Sequence, residues 1–280
     1  MPLAKIEDAN ARFRAAIRAL TGIELPAQKI PMIEQRLRKR VLHWGHSSTE
    51  SYMAALLAGE MDQAELAIVV DLMTTNTTSF FREAEHFQIL RDDLLPQLLR
   101  PVRGQRPRLK LWSAASSEGA EAYSLAMVLA EANRQGDRFD WAILGTDLSG
   151  RMIEKATSAI YAPDQLTGIP VDLARRYLMH ASSGPMAGKL RIVPELRARV
   201  RFHQMNLMDE KYPVDPGVHV VFLRNILIYF DAPTKAAVIE RVTRHLRPGG
   251  YLFVGHSESM VVRHPELAQI VPTVFQKVSE

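Results

Sequence analysis

The sequence has no cysteine among its 280 residues, which excludes disulfide staples and thiolate metal sites. It has no long apolar run either. The longest, Val218 to Phe230, is interrupted by Arg224 and Asn225 and falls short of the ~20 residues that span a bilayer. Met1 to Asn10 carries no basic and apolar leader, so a cytoplasmic protein is expected. Neither G-x-G-x-x-G nor G-x-x-x-x-G-K-[ST] occurs, which argues against NAD and against an ATP-binding phosphate loop. Charge of one sign is also scarce: 35 basic against 31 acidic residues leave a net +4. Although the pI is about 9.4, that excess is modest for a nucleic-acid binder. What is present is 47% hydrophobic residues, enough to bury the core of one large domain or two modest ones.

From Asp8 to Met73 the pattern is helical. Phe13, Ile17 and Leu20 share a face that stops at Gly22, and a second helix after Pro31 carries Ile33, Leu37, Val41 and Trp44. On a neighbouring stripe of that helix stand Arg36, Lys39, Arg40 and His43. Ser47 with Glu50 resembles a capping box for a third helix, and Leu66, Val69, Val70 and Met73 mark a fourth. Thr74 to Ser79 is a polar break before a helix carrying Phe87, Leu90, Leu94 and Leu98. An α/β pattern follows, with an antiparallel excursion expected at Gly184 to Phe202, where Leu190, Ile192 and Val200, Phe202 flank a turn. Further strands are expected at Val218 to Leu223, Tyr251 to Gly255 and near Val271 to Val278.

The stretch Leu109 to Ser124 reads as a strand, a loop of small residues and a helix. Ser113 to Ser117 and Gly119 leave room for a ligand against the backbone, at the carboxyl end of a strand where open α/β sheets bind theirs. One βα unit later Asp147 ends a second strand, the place of an acid on ribose hydroxyls. A helix-capping aspartate at a tight turn gives the same spacing.

Four motifs, Thr74 to Glu83 (TTNTTSFFRE), Trp112 to Ser124 (WSAASSEGAEAYS), Arg224 to Phe230 (RNILIYF) and Gly255 to Glu258 (GHSE), occur in one order. Together they closely resemble the CheR family of chemotaxis receptor methyltransferases. The resemblance implies a Rossmann-like class I methyltransferase domain that uses S-adenosylmethionine and yields S-adenosylhomocysteine. It implies an all-α receptor-docking domain over 1–75, a linker and linker helix over 76–100, and the methyltransferase domain over 101–280, with a β-subdomain inserted at about 184–203. It places Asn76, Thr78, Arg82, Glu121, Asp147, Asn206, Leu207, Arg224 and Asn225 on the cofactor. Tyr229 falls beside the transferred methyl group. Arg36, Lys39, Arg40 and His43 would dock on the acidic helical bundle of a chemoreceptor's cytoplasmic domain. A receptor carboxyl-terminal peptide is a candidate ligand of the β-subdomain; nucleic acid, membrane insertion and a metal are not expected.

The implied acceptor is a glutamate side chain, already an anion at neutral pH with a pKa near ~4.3, so no general base is required. Arg82 and Tyr229 are the candidates for holding that carboxylate. His256 reads as a packed, hydrogen-bonded histidine. Two other classes remain, a nucleic-acid methyltransferase and a catalytically silent cofactor sensor. Against the first, Arg224-Asn225-Ile226-Leu227 stands where many base-modifying enzymes carry Asp/Asn-Pro-Pro-Tyr/Phe, and no RNP-like aromatic pair is present.

Overall fold

The computed structural model describes residues 2–100, 106–136, 139–180 and 187–278. Helices α1 (Pro2–Thr21), α2 (Ile30–His43), α3 (Thr49–Leu57) and α4 (Gln63–Met73) make up the amino-terminal segment. Helical spacing brings Phe13 and Ile17, Ile33 and Leu37, Tyr52 and Met53, and Val69 and Met73 into one buried cluster. The same cluster includes Trp112, Leu223 and Val238, so the helices and one face of the sheet share a core. Two local readings shift. Trp44 is 41% exposed, because α2 ends at His43 and Gly45, at φ +69°, turns the chain away. The cap of α3 is Ser48, not Ser47: its Oγ accepts the Ser51 amide at 3.2 Å while Ser51 Oγ accepts the Ser48 amide at 3.4 Å.

The linker helix consists of α5 (Glu85–Gln88), a π-helical stretch (Ile89–Leu94) and α6 (Leu95–Leu98). It buries Phe87, Leu90 and Leu94. The α/β part then runs β1 (Arg108–Ala114), α7 (Ala120–Gln135), β2 (Asp140–Asp147), α8 (Gly150–Ser158), β3 (Ile160–Tyr161), α9 (Val171–Tyr177), β4 (Leu178–His180) and β5 (Leu190–Ile192). It continues with α10 (Pro194–Arg197), β6 (Val200–Gln204), β7 (Val218–Leu223), α11 (Ala232–His245), β8 (Leu246–Val254), β9 (Leu267–Val271) and β10 (Val274–Lys277). The main sheet has the order β6-β2-β1-β7-β8-β10-β9, with β6 through β8 parallel and β10 antiparallel to both its neighbours. Strand order reverses at β1, whose two neighbours are β2 and β7, and a ligand crevice opens at such a switch point.

The antiparallel excursion is differently composed from the sequence expectation. A three-stranded sheet of order β3-β5-β4 is present, but it draws its strands from Ile160 to Ile192. Val200–Gln204 instead forms the edge of the main sheet, parallel to β2 with Ile143 opposite Val200. The helical turn α10 separates what the alternation of apolar residues had suggested was one hairpin. Phe202 fits there because Gly145 and Gly119 lack side chains: a Cβ on them would come to 2.5 and 3.0 Å from its ring. The first residues of the expected excursion, 184–186, lie outside the described residues. The carboxyl-terminal strand expected near Val271 to Val278 is a pair, β9 and β10, turned at Thr273.

Candidate functional site

The carboxyl ends of β1, β2, β6 and β7 open into a cleft of about 860 Å³, partly open to solvent. Its walls bring together Asn76, Thr78, Arg82, Glu121, Asp147, Asn206, Leu207, Arg224, Asn225 and Tyr229. Every cofactor-side and acceptor-side residue expected from sequence therefore faces one space. Thr21 and Ile23, from the end of α1 and the turn after it, and Phe230 are among the other residues that line it. Phe230 ends the RNILIYF motif, whereas the sequence carries no local signal for Thr21 and Ile23.

Backbone strain concentrates around this cleft. Phe81, Glu83, Ala115, Ser117 and Asn225 adopt φ between 49° and 63° without being glycine, a conformation that costs about 1–3 kcal/mol per residue unless its surroundings hold it. Here they do. Ser117 donates its amide to Asp147 Oδ2 at 2.8 Å and its hydroxyl to the Asn76 carbonyl at 2.9 Å. Phe81 donates to Ser124 Oγ at 3.0 Å, and Asn225 to Glu258 Oε2 at 2.8 Å. Asp147 also accepts the Ser149 amide at 2.9 Å, so it acts as a turn holder and faces the cleft at once. Burial raises its pKa, partly offset by the amides of Ser149 and Ser117.

Arg224 is the central cation. It is buried, lies 3.4 Å from Glu83 Oε2 and 3.5 Å from Glu121 Oε2, and donates to the Arg82 carbonyl at 2.5 Å. Its guanidinium stands 5.7 Å from the ring centres of Phe87 and Phe222. Glu121 accepts from Ser113 Oγ at 2.7 Å. Burial raises the Glu121 pKa against the pull of Arg224; for Glu83, burial acts the same way but Arg224 and Asn225 outweigh it, and the pKa falls. Arg82 is exposed at the mouth and donates to the Thr77 carbonyl at 3.2 Å. Asn206 is tied to the helical segment, donating to the Leu20 carbonyl at 2.6 Å.

The basic stripe of α2 divides. Arg36 donates to the carbonyls of Leu72, Met73 and Thr74 at 3.0 to 3.1 Å, closing the end of α4. Arg40 pairs with buried Glu65, which also accepts from Tyr52. Both arginines thus make contacts that hold the helical segment together, while each stays partly exposed. Lys39 and His43 are exposed. His256 departs from its sequence reading too, with a side chain 54% exposed. Glu258, read only as part of a motif, is fully buried and organises the β7 loop.

Residues 76–275 match the family described as CheR methyltransferase, SAM binding domain, and residues 9–74 match CheR methyltransferase, all-alpha domain. Chemotaxis protein methyltransferase 2 of Pseudomonas aeruginosa is 36% identical over 264 residues, covering 94% of this chain and 91% of that protein. The chemotaxis protein methyltransferase of Escherichia coli is 34% identical over 253 residues, covering 89% and 85%. Among solved structures, a glycopeptide N-methyltransferase complexed with S-adenosyl-L-methionine aligns at a TM-score of 0.35 and 15% identity, over 64% of this chain and 51% of that one. That last likeness is too loose to add to the assignment.

The cleft suits the cofactor chemically. Arg224 Nε and Nη1 are buried donors without a hydrogen-bond partner, and a carboxylate such as that of a methionyl group would satisfy them. Glu121 and Asp147 add acceptors for an ammonium and for ribose hydroxyls. The matched family domains, the relatives that align along most of their length and a cleft built to receive such a ligand place this chain in the CheR methyltransferase family of S-adenosylmethionine-dependent enzymes.

Proposed function

We propose that this chain methylates glutamate side chains in the cytoplasmic domains of chemoreceptors, giving glutamate methyl esters and S-adenosylhomocysteine. The observation that carries the reading is the convergence of Arg82, Tyr229, Arg224, Glu121 and Asp147 on one cleft, in a chain whose relatives are chemotaxis protein methyltransferases. Bound S-adenosylmethionine supplies a methyl group on a sulfonium, which passes to a carboxylate oxygen while the sulfur keeps the bonding pair as a neutral thioether. Asp147 takes the ribose hydroxyls and Asn206 with Leu207 the adenine side. Asn76, Thr78, Arg224 and Asn225 position the methionyl end, with Glu121 on its ammonium. Arg82 and Tyr229 hold the acceptor carboxylate in line, which is alignment rather than proton transfer and can be worth about 7–11 kcal/mol in ideal cases.

The helical segment, residues 1–75, serves as the receptor-docking part through Lys39 and His43, with 76–100 as the linker and 101–280 as the methyltransferase part. A receptor carboxyl-terminal peptide fits the three-stranded sheet, where β3 and β4 are the outer strands and could each accept an added strand. The test is to incubate the protein with methyl-labelled S-adenosylmethionine and either receptor cytoplasmic fragments or RNA. Label released from the receptor fragment as methanol by mild base supports the reading. Label in RNA, or cofactor binding without transfer, overturns it.

A further inference from the structure

Beside the cleft, Glu83, His86 and His256 each offer one ligand atom, and these atoms lie within 4.8 Å of one another. His86 is 1% exposed. Its Nε2 is engaged in a 2.7 Å hydrogen bond with the Thr273 hydroxyl, which leaves Nδ1 as the other ring nitrogen. Nδ1 faces Glu83 Oε2 at 3.4 Å. Neither atom has a hydrogen-bond partner. A buried ring nitrogen and a buried carboxylate oxygen thus face each other unpaired, with Arg224 at ion-pair distance from the same Glu83 oxygen without a hydrogen bond.

We propose that Glu83, His86 and His256 bind a divalent cation of borderline softness, such as Zn²⁺, with water completing the coordination. Two imidazole nitrogens and a carboxylate oxygen suit that ion, and ligand atoms of a tetrahedral zinc stand about 3.3 Å apart, close to the spacing Nδ1 and Oε2 already have. The Thr273 contact orients His86 as an outer partner does in such sites. His256 supplies the movable ligand: it is half-exposed, with its Nε2 3.8 Å from Glu85 Oε2. Glu83 Oε1 meanwhile accepts from Asn225 Nδ2 at 3.2 Å, so the cation would sit against the cleft without entering it.

The full chain would be titrated with ZnCl₂ by calorimetry in the presence of a weak competing chelator, and with CoCl₂ followed by visible absorption. One saturable zinc site and tetrahedral cobalt bands are expected. His256→Ala, at an exposed side chain, should weaken zinc binding at least about tenfold and erase the bands, while His203→Ala, at an exposed position elsewhere, changes neither. No saturable zinc binding in the wild type, undiminished binding in His256→Ala, or an equal loss in His203→Ala would overturn the site.

Discussion

The amide of Asn225, held at φ 58°, donates to Oε2 of the fully buried Glu258 at 2.8 Å. The same oxygen accepts the Gly255 amide at 2.7 Å, and Oε1 accepts that of Ile228 at 3.3 Å. One carboxylate thus fixes the strained turn that presents Arg224, Asn225 and Tyr229 to the cleft. A Cβ at position 255 would come to 2.6 Å from Asn225 Nδ2 and 2.8 Å from Glu258 Oε2, so a side chain there displaces these two groups. Glu258→Ala leaves these amides unpaired and should cost about 2–4 kcal/mol in urea unfolding. In the folded variant the calorimetric Kd for S-adenosylmethionine should rise at least about tenfold; an unchanged Kd would show that the turn keeps its shape without Glu258.

Asp147 is expected to act on binding and on stability together. Its two oxygens hold the amides of Ser117 and Ser149 at 2.8 and 2.9 Å, so the residue is not free to be removed at no structural cost. Asp147→Ala should abolish measurable binding of S-adenosylmethionine and S-adenosylhomocysteine and lower stability by about 1–3 kcal/mol. Asp147→Asn keeps one acceptor oxygen and should retain more stability than affinity. A folded Asp147→Ala protein with wild-type affinity would remove this residue from the site.

The Arg40–Glu65–Tyr52 cluster gives the helical segment an acid-sensitive joint. Burial opposes ionised Glu65, but hydrogen bonds from Arg40, Tyr52 and Trp44 outweigh it and bring its pKa from 4.5 down to about 2. A depressed carboxylate contributes stability that is complete above the unfolded value and lost as pH falls through the folded one. The contribution, on the order of 3 kcal/mol, is therefore present above pH about 4.5 and fades toward pH 2. Urea unfolding of wild type and Glu65→Gln should show a constant gap from pH 7 to pH 5 that narrows on further acidification. A gap independent of pH would mean that the cluster contributes by packing alone.

Charge reversal separates the two halves of the α2 stripe. Arg40→Glu places a second carboxylate against Glu65 and should lower Tm markedly. Lys39→Glu, at an exposed position, should leave Tm and cofactor affinity unchanged. If Lys39 docks on an acidic receptor bundle, kcat/KM for receptor falls several-fold in Lys39→Glu, about 1 kcal/mol for one charge at a docking rim. The effect should shrink with added salt. Equal kcat/KM for wild type and Lys39→Glu at low ionic strength would move recognition elsewhere, first to the three-stranded sheet.

The α/β pattern and a cleft at its strand ends were legible because local patterns carry them, whereas the strand order and its reversal at β1 were not. Leu109 and Leu111 mark a buried strand, Ser113 to Ser117 a loop without bulk, and Asp147 a strand end. What periodicity could not reveal was which partner a side chain finds across the chain. Arg36, Lys39, Arg40 and His43 share a stripe by spacing, yet Arg36 and Arg40 are drawn inward by the end of α4 and by Glu65, some twenty-five to thirty-eight residues away. The alternation at Leu190, Ile192 and Val200, Phe202 fits one hairpin as well as two strands of different sheets. Only the space left by Gly119 and Gly145 decides for the latter. His256 could not be read as exposed, because its neighbours His86 and Glu85 come from the linker helix.

The chemistry itself makes the last prediction. A glutamate acceptor ionises near pH ~4.3 and is an anion throughout the neutral range, so its attack on the methyl group needs no proton removed. Burial, with Arg224 next, brings His86 down to about 4, so this neighbour of the cleft is neutral across that range and contributes no titration. With S-adenosylmethionine and receptor saturating, the single-turnover rate should stay nearly flat from about pH 6.5 to pH 8.5. Arg82→Lys retains the charge but loses the two-pronged grip on a carboxylate. It should lower that rate at every pH in the range by a similar factor, leaving the profile flat. A log-linear rise of the wild-type rate with pH, of slope near one and assigned to the chemical step, would require a base and so an acceptor that must lose a proton, such as an amine or a hydroxyl.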